Sequence, residues 1–309
     1  MKTGAAATPR AFRVLELFSG IGGCAAALAE LAPGGHHVAA AIDISSLALG
    51  VYRHNFPDHT IVAKSLESLP AAEMARFDAD LWWLSPPCQP YTRRGRGRDD
   101  QDPRARPLLA LIEHVATLRP RYLALENVPG FETSRCHARL LETLGGAAYD
   151  VREGLLCPSE LGWPNRRRRY YLLAARGPLQ APWPPLPAPS LAELLDAVPE
   201  PGLEFAPDLV ARYRHALSRV RPTDPTAVTA CFTAAYGRSP VRSGSYLETE
   251  GGLRRFSPRE VLALLGFPES FRWPADLPRE AAWRLAGNSL SLPAVRRVLA
   301  QIPELSGSC

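Results

Sequence analysis

This chain of 309 residues predicts an α/β fold, doubly wound around a mainly parallel sheet, on three observations. Over residues 12–175, short apolar runs alternate with stretches of helical spacing, the pattern of parallel strands joined by helical crossovers. The first apolar run ends in a glycine cluster, Gly20-Ile21-Gly22-Gly23, that opens a helix. The second ends in an acid, Asp43, twenty-three residues after Gly20. A glycine turn lets a ligand approach the backbone, and an acid closing the next strand can accept hydrogen bonds from ribose hydroxyls.

Each element has a local reason. The tail before about Ala11 consists largely of small residues and reads as frayed. Phe12–Phe18 reads as a buried strand, Ser19 to Gly23 as the turn, and the Ala-rich Cys24–Leu31 as a helix. Val38–Ile42 is the second strand, followed after Asp43 by a helical stretch through Asn55. Thr60–Ala63 is a short third strand and Asp80–Leu84 the fourth. Pro86 and Pro87 stop it, because proline fixes φ and lacks the N–H a ladder needs. Arg93–Arg106 carries six Arg and three Asp, has little to bury and reads as a mobile surface loop. Leu108–Leu118 has helical spacing, Arg121–Leu125 is a strand, and Leu140–Leu144 lies on a helix. Val151–Leu156 and Tyr170–Ala174 read as a hairpin.

The composition changes at Gly177. GPLQAPWPPLPAPS (177–190) is too rich in proline for a sheet interior and reads as a stiff connection. Beyond it, Leu191–Val198 and Leu209–Val220 have helical patterns and Thr226–Tyr236 an extended one. Ser257-Pro258-Arg259-Glu260 is a capping box with proline at the first helical position, opening a helix through Leu265 that Gly266-Phe267-Pro268 ends. A last helix, about Leu292–Ile302, follows Gly287-Asn288-Ser289.

An apolar fraction of 46% supports a substantial core. No run is long enough to span a bilayer, and MKTGAAATPR lacks a signal-type apolar core, so the expected compartment is the cytoplasm. The six cysteines form no CxxC pair, which argues against a disulfide framework or a zinc knuckle, and no metal is expected. The net charge of +5 is compatible with a polyanionic partner without identifying one.

Three further features can carry chemistry. Cys88 follows the fourth strand within Ser85–Gly95, beside Gln89, with Arg93, Arg94, Arg96 and Arg98 downstream as cationic neighbours that favour a thiolate. An isolated cysteine is otherwise a small buried hydrophobe. Glu126-Asn127-Val128 ends another strand. Its acid is either a capping or ion-paired carboxylate or a site group at the carboxyl edge of the sheet, where open α/β sheets bind ligands. Asn165 leads into four arginines entering a strand. Such a run is commonly a solvated face, but side chains two apart share a face, which pairs Arg167 with Arg169. Gly20-x-Gly22-x-x-Ala25 also fits a dinucleotide fingerprint, and a glycine turn of this kind also serves plain helix packing.

Pro-Pro-Cys-Gln after a strand, at 86–89, resembles the nucleophile loop of the cytosine-5 methyltransferases of nucleic acids, and the longer run Pro-Pro-Cys-Gln-Pro-Tyr-Thr-Arg at 86–93 resembles the tRNA-directed branch. Phe18 to Gly23 is similar to that family's first cofactor motif, Glu126-Asn127-Val128 to its ENV motif, and Arg167 and Arg169 to the arginines of QxRxR. Asn165 stands where DNA enzymes commonly have Gln, a departure shared with the tRNA branch. Gly287-Asn288-Ser289-Leu290-Ser291 resembles the last motif, and Arg255 to Pro268 the one before it. Cys231-Phe232-Thr233, Tyr236-Gly237 and Ser243-Gly244-Ser245 are similar to a signature of the tRNA enzymes, with Ala234 where Lys is common. The matches run from Leu15 to about Ser291 in the family's order.

The resemblance implies a Rossmann-like methyltransferase sheet with a small target-recognition subdomain. Residues 12–175 plus 255–309 would form the catalytic domain and 176–254 the target-recognition region. It implies S-adenosyl-L-methionine as cofactor, leaving as S-adenosyl-L-homocysteine. Ser19, Gly20, Ile21, Gly22 and Gly23 would hold its methionine end, with Phe18 near the adenine. Asp43 would take the ribose, Ile44 the adenine face, and Ser65 and Leu66 its edge; Pro86, Asn288 and Ser289 complete that pocket. Cys88 is the implied nucleophile on C6 of the base, Glu126 the group on N3 and the amine, and Arg169 the group on O2. Arg167 would orient the nucleophile or a phosphate. Gln89, Arg93, Arg94, Cys231, Phe232, Thr233 and Tyr236 are the implied substrate contacts. The implied substrate is cytosine 38 in the anticodon loop of tRNA-Asp or tRNA-Glu, with DNA a weaker or alternative one, and the expected state is a monomer. A DNA cytosine-5 methyltransferase shares every catalytic residue. A nicotinamide enzyme shares the glycine turn but gives no reason for Pro-Pro-Cys-Gln, and a non-catalytic tRNA-binding protein is the third rival.

Overall fold

A computed structural model describes residues 10–91, 98–181 and 187–306. Strand β1 (Phe12–Leu17) lies near the middle of a seven-stranded sheet. Its neighbours follow from the chain order: α1 (Gly23–Leu31), β2 (His36–Asp43), α2 (Ser46–Asn55), β3 (Ile61–Ala63), α3 (Ala71–Arg76) and β4 (Leu81–Leu84). Then come α4 (Arg106–Leu118), β5 (Tyr122–Asn127), α5 (Arg135–Gly146), β6 (Asp150–Leu156) and β7 (Arg169–Ala175). The strand order is β3-β2-β1-β4-β5-β7-β6, with β1 to β5 parallel and β7 antiparallel to both its neighbours. The order reverses between β1 and β4, and the crevice beyond the strand ends at such a switch point is where this architecture binds ligands.

Central strands covered on both faces must be apolar on both faces, and β4 and β5 are buried along their whole length. Alternate residues feed two cores. Val14, Trp83, Ala124 and Leu173 pack with Leu28 of α1 and with α7 (Pro258–Leu264) and α9 (Leu292–Leu299). Leu15, Trp82, Leu123 and Leu172 pack with α4 and α5 through Leu108, Leu111 and Leu140. Between β7 and α7 the chain forms α6 (Pro207–Tyr213) and a three-stranded sheet of β8 (Ser218–Val220), β9 (Ser245–Thr249) and β10 (Gly252–Arg254). Tyr246, Leu253, Phe232 and Tyr236 of this segment belong to the same core as Val14 and Trp83. Helix α8 (Arg279–Asn288) lies between α7 and α9 in sequence. Among the described residues no helix is long and apolar enough to cross a membrane.

The structure departs from the sequence reading mainly after residue 98. Asp99–Gln101 and Pro103–Ala105 are short 3₁₀ turns rather than loose loop. Asp99 accepts from the N–H groups of Arg135, at 2.6 Å, and Cys136, at 3.4 Å, at the start of α5. Arg93, Arg94 and Arg96 lie outside the described residues. The expected helix Leu209–Val220 splits, because Ser218–Val220 pairs in register with Ser245–Leu247. Leu191–Val198 gives a single 3₁₀ turn at Ala192–Leu194, where Glu260 and Ser257 hold Asp196 instead. Thr226–Tyr236 forms no strand beyond one bridge between Asn165 and Thr229. Helices α3 and α8 and strands β9 and β10 were not anticipated.

Candidate active site

A cavity of about 560 Å³ opens beyond the ends of β1, β2, β4 and β5 and beside the start of β7. Its first half is built by the glycine turn. Phe18 and Gly20 have φ of 57° and 54°, and Gly22 has φ of 95°, so the turn runs through left-handed backbone that glycine tolerates best. A Cβ on Gly22 would sit 2.7 Å from the Phe56 ring. Gly22 does not line the cavity; it packs against α2, whereas Ser19, Gly20, Ile21 and Gly23 do line it. The Asp43 carboxylate accepts from the Gly20 N–H and the Ser45 N–H, both at 2.8 Å, which locks the acid to the turn.

S-adenosylmethionine fits these residues on two independent observations. Ile44, beside Asp43, is 76% exposed, a large bare apolar face at the cavity. Ser19 Oγ is buried with no hydrogen-bond partner, a group that buried polar chemistry normally leaves satisfied. Phe18, Ser65, Leu66 and Pro86 line the same half, and Asn288 and Ser289 close it from the end of α8.

Below the turn lies a residue that sequence reasoning missed. Glu16 of β1 is 1% exposed; its carboxyl accepts from the Cys24 N–H at 3.1 Å and the Tyr52 hydroxyl at 3.0 Å. It thus satisfies an N-terminal N–H of α1 that Gly22, with no side chain, cannot. Burial pushes its pKa up to about 8, against the hydrogen bonds from Tyr52 and Cys24. Its signal in the sequence was a lone acid inside an apolar strand.

The second half is lined by Cys88, Glu126, Arg167 and Arg169. Pro86 and Pro87 end β4, and the next turn is closed by the Tyr91 N–H on the Cys88 carbonyl at 3.0 Å. Asn127 Nδ2 donates to the Pro86 carbonyl at 3.3 Å, so the end of β5 is tied to the cysteine loop. Glu126 lies 8% exposed at the cavity, with Arg169 Nε 3.4 Å from its carboxylate. Arg169 opens β7, and only because β7 runs antiparallel does its first residue reach the edge where β4 and β5 end. Burial raises the Cys88 thiol above its ordinary value, while Arg169 and, more weakly, Arg167 pull it down. The expected thiolate-favouring environment is therefore overridden by desolvation. Burial likewise raises Glu126, opposed by Arg169 and Arg167.

Arg167 lines the cavity, yet its donors go elsewhere. Nη1 donates to the carbonyls of Phe232, at 3.2 Å, and Gly287, at 3.3 Å, and Nη2 to that of Ser289. It staples the segment after β8 to the end of α8. Gly287 is required there: a Cβ would fall 2.2 Å from the Thr233 carbonyl carbon. Cys231 receives N–H groups from both Arg167 and Arg169 at 3.7 Å; burial acts to raise its pKa, but the two cations bring the net value down.

The expected substrate contacts divide. Gln89 is exposed at the cavity, and Arg93 and Arg94 lie outside the described residues. Cys231, Phe232, Thr233 and Tyr236 do not line the cavity. Phe232 and Tyr236 are each 1% exposed; the Tyr236 hydroxyl donates to the Ser245 carbonyl and accepts from the Phe256 N–H. Their side chains are core, offering no face to a substrate. Conversely Lys64, Arg104, Pro107 and Val128 line the cavity unanticipated; for Arg104 the signal was the turn-forming Asp102-Pro103 step before it.

Comparison with known proteins places the chain in a family. The family model for C-5 cytosine-specific DNA methylase matches residues 12–219 and 210–304. A tRNA (cytosine(38)-C(5))-methyltransferase of Spodoptera frugiperda is 31% identical over 327 residues, spanning 93% of this chain and 98% of its own. The crystal structure of S. pombe Dnmt2 methyltransferase matches with a TM-score of 0.84 at 27% identity, covering 97% of this chain and 100% of its own. The Entamoeba histolytica methyltransferase EhMeth matches with a TM-score of 0.87 at 25% identity, covering 96% and 98%. This chain therefore belongs to the C-5 cytosine-specific methylase family, and is an enzyme that takes S-adenosylmethionine as its cofactor.

Proposed function

We propose that this enzyme methylates C5 of cytosine in tRNA, at position 38 of the anticodon loop, through a covalent bond between Cys88 and the base. One observation supports the reading above all: Cys88, Glu126 and Arg169 line the same cavity as Asp43 and Ile44. A base can then meet the nucleophile, the acid and the cofactor pocket together. The substrate class is supported by the relatives' named activity, and by the ease with which an unpaired loop base leaves its stack.

C5 of cytosine is a poor nucleophile while the ring is conjugated. The Cys88 thiolate adds to C6, the 5,6 double bond becomes an enamine, and C5 gains nucleophilic character. Glu126 hydrogen-bonds N3 and accepts from the exocyclic amine, drawing electron density from C6 as sulfur attacks; burial, which raises its pKa, favours the proton between its carboxyl and N3. Arg169 donates to O2 and keeps the negative charge of Cys88 and Glu126 compensated. The bound cofactor supplies the methyl group from its sulfonium. Water takes the C5 proton, its electron pair re-forms the 5,6 double bond as the bond from C6 to sulfur breaks, Cys88 leaves as thiolate, and N3 returns its proton to Glu126. Arg167 acts as a brace between the recognition region, residues 176–254, and the cofactor pocket.

The test is methyl transfer from labelled S-adenosylmethionine to tRNA and to duplex DNA, with bisulfite sequencing of the product. We expect tRNA labelled at position 38, duplex DNA a weaker substrate, and a monomeric enzyme that works in the cytoplasm. Cys88→Ala should abolish transfer, and tRNA carrying 5-fluorocytosine should leave an adduct on Cys88. Labelled DNA with unlabelled tRNA would move the enzyme to the DNA branch, the reading the family model's name favours.

A further inference from the structure

The cavity rim carries a cation that the mechanism does not use. Arg104 stands on the 3₁₀ turn leading into α4 and lines the cavity together with Cys88, Gln89 and Pro107. One edge of its guanidinium is gripped by Asp102, Nε donating to Oδ1 at 2.9 Å and Nη2 to Oδ2 at 2.7 Å. Oδ1 also accepts the backbone N–H of Arg104 at 3.0 Å, and Asp102 is only 4% exposed, so the grip is anchored in the fold. The Arg104 side chain is itself 50% exposed. Asp102 takes two of five guanidinium hydrogens, which leaves Nη1 and the second Nη2 hydrogen without a partner among the described residues.

Among the described residues the other cations of the cavity have partners of their own, Arg167 through its Nη atoms only. Lys64 pairs with Glu73, Arg169 with Glu126, and Arg167 with backbone carbonyls. Arg104 and Cys88 line one and the same cavity. The substrate's covalent structure says what should lie there. In a pyrimidine nucleotide C6 is bonded to N1, the atom that carries the ribose, and in the anti conformer the C6 edge lies under the 5′ oxygen. A base whose C6 meets Cys88 must bring its own 5′ phosphate to the cysteine side of the mouth. A planar guanidinium pre-oriented by a carboxylate matches a phosphate's paired oxygens better than a lysine point charge.

We propose that Arg104, held in place by Asp102, seats the 5′ phosphate of the target cytidine and so positions C6 over Cys88. The inference rests on the reading of the enzyme as a nucleic-acid cytosine methyltransferase. Its test is a two-by-two cycle: wild type and Arg104→Gln, each with a tRNA stem–loop bearing a natural phosphate or a neutral methylphosphonate 5′ of the target cytidine. Either change alone should lower kcat/KM about tenfold to a hundredfold, and both together no further than one alone. Arg104→Lys should recover part of the loss. The affinity for S-adenosylmethionine, by calorimetry, and the melting temperature should stay as in wild type. Multiplying losses, or an Arg104→Gln enzyme as active as wild type, would overturn the proposal. So would a tenfold weaker cofactor affinity, which would assign Arg104 to the methionine carboxylate. If wild type fails to methylate the natural stem–loop at all, the tRNA reading fails instead, and the same cycle on a DNA duplex still decides Arg104.

Discussion

At Cys88, two influences oppose each other and burial wins, so the resting sulfur is a thiol at neutral pH. Its activity should climb with pH through the range above the ordinary thiol value. Arg169 is the largest influence pulling the pKa down; Arg169→Gln should move that rising limb of kcat/KM to higher pH, whatever it does to the plateau. A limb that stays in place would show that another group sets it. Four arginines downstream of Cys88 were the visible candidates for this influence. Arg93, Arg94 and Arg96 lie outside the described residues, and among those described the strongest pull comes from Arg169 on β7, a proximity no spacing along the chain reveals. Glu16 gives a second residue-scale prediction. Its carboxyl titrates near 4.5 when exposed and at about 8 when folded. A raised acid favours the fold below its unfolded value and withdraws that support as pH rises to the folded value. Between about pH 4.5 and 8 it therefore contributes a falling stability of up to about 1.4 kcal/mol per pH unit. Glu16→Gln should flatten urea midpoints measured across that window by one proton's worth.

At the scale of elements, the parallel half of the sheet was legible because each strand is an apolar run that ends in a marked residue: Leu17 before the glycines, Ile42 before Asp43, Leu84 before two prolines. What escaped was whatever depends on partners distant in sequence. Ser218–Val220 continues a helical pattern and becomes a strand only because Ser245–Leu247 lies beside it. Helix α8 was hidden behind the motif at its end, although Pro278 and the residues after it are good helix openers. The glycine turn that lines half of the cavity was readable locally, whereas the core position of Phe232 and Tyr236 was not, since burial belongs to the packed molecule. Gly287 shows how tight that packing is. Gly287→Ala drives a methyl into the Thr233 backbone, which cannot yield as a flexible side chain would. A loss of about 3 kcal/mol, seen as a lower melting temperature together with weakened methyl transfer, is expected.

Over the whole molecule, one core unites the sheet with the segment that carries β8 to β10. The Arg254–Glu260 pair, 4% and 0% exposed, sits across that junction with two contacts of 2.8 Å. Glu260 also accepts from the N–H groups of Asp196 and Ser257, so the acid of a local capping box ties the stretch 254–260 to the distant Asp196. Removing it leaves a buried guanidinium uncompensated: Glu260→Ala should cost about 3–5 kcal/mol, or a melting temperature lower by roughly ten degrees. We propose that residues 176–254 do not fold alone and that the chain melts in one transition by calorimetry; two separable transitions would refute this.

The reversed direction of β7 has one more implication. Arg166 and Arg168 are exposed, while Arg167 is buried and Arg169 nearly so, and only the odd-numbered pair meets the cavity. Deleting Arg166 while Asn165 keeps its bridge to Thr229 would draw the following arginines back by one place and still keep a row of guanidinium groups at this edge. The loss in net charge would be one unit at most. Parity decides which of those groups looks inward, so a change almost invisible to composition would exchange brace for bystander and disarm the enzyme.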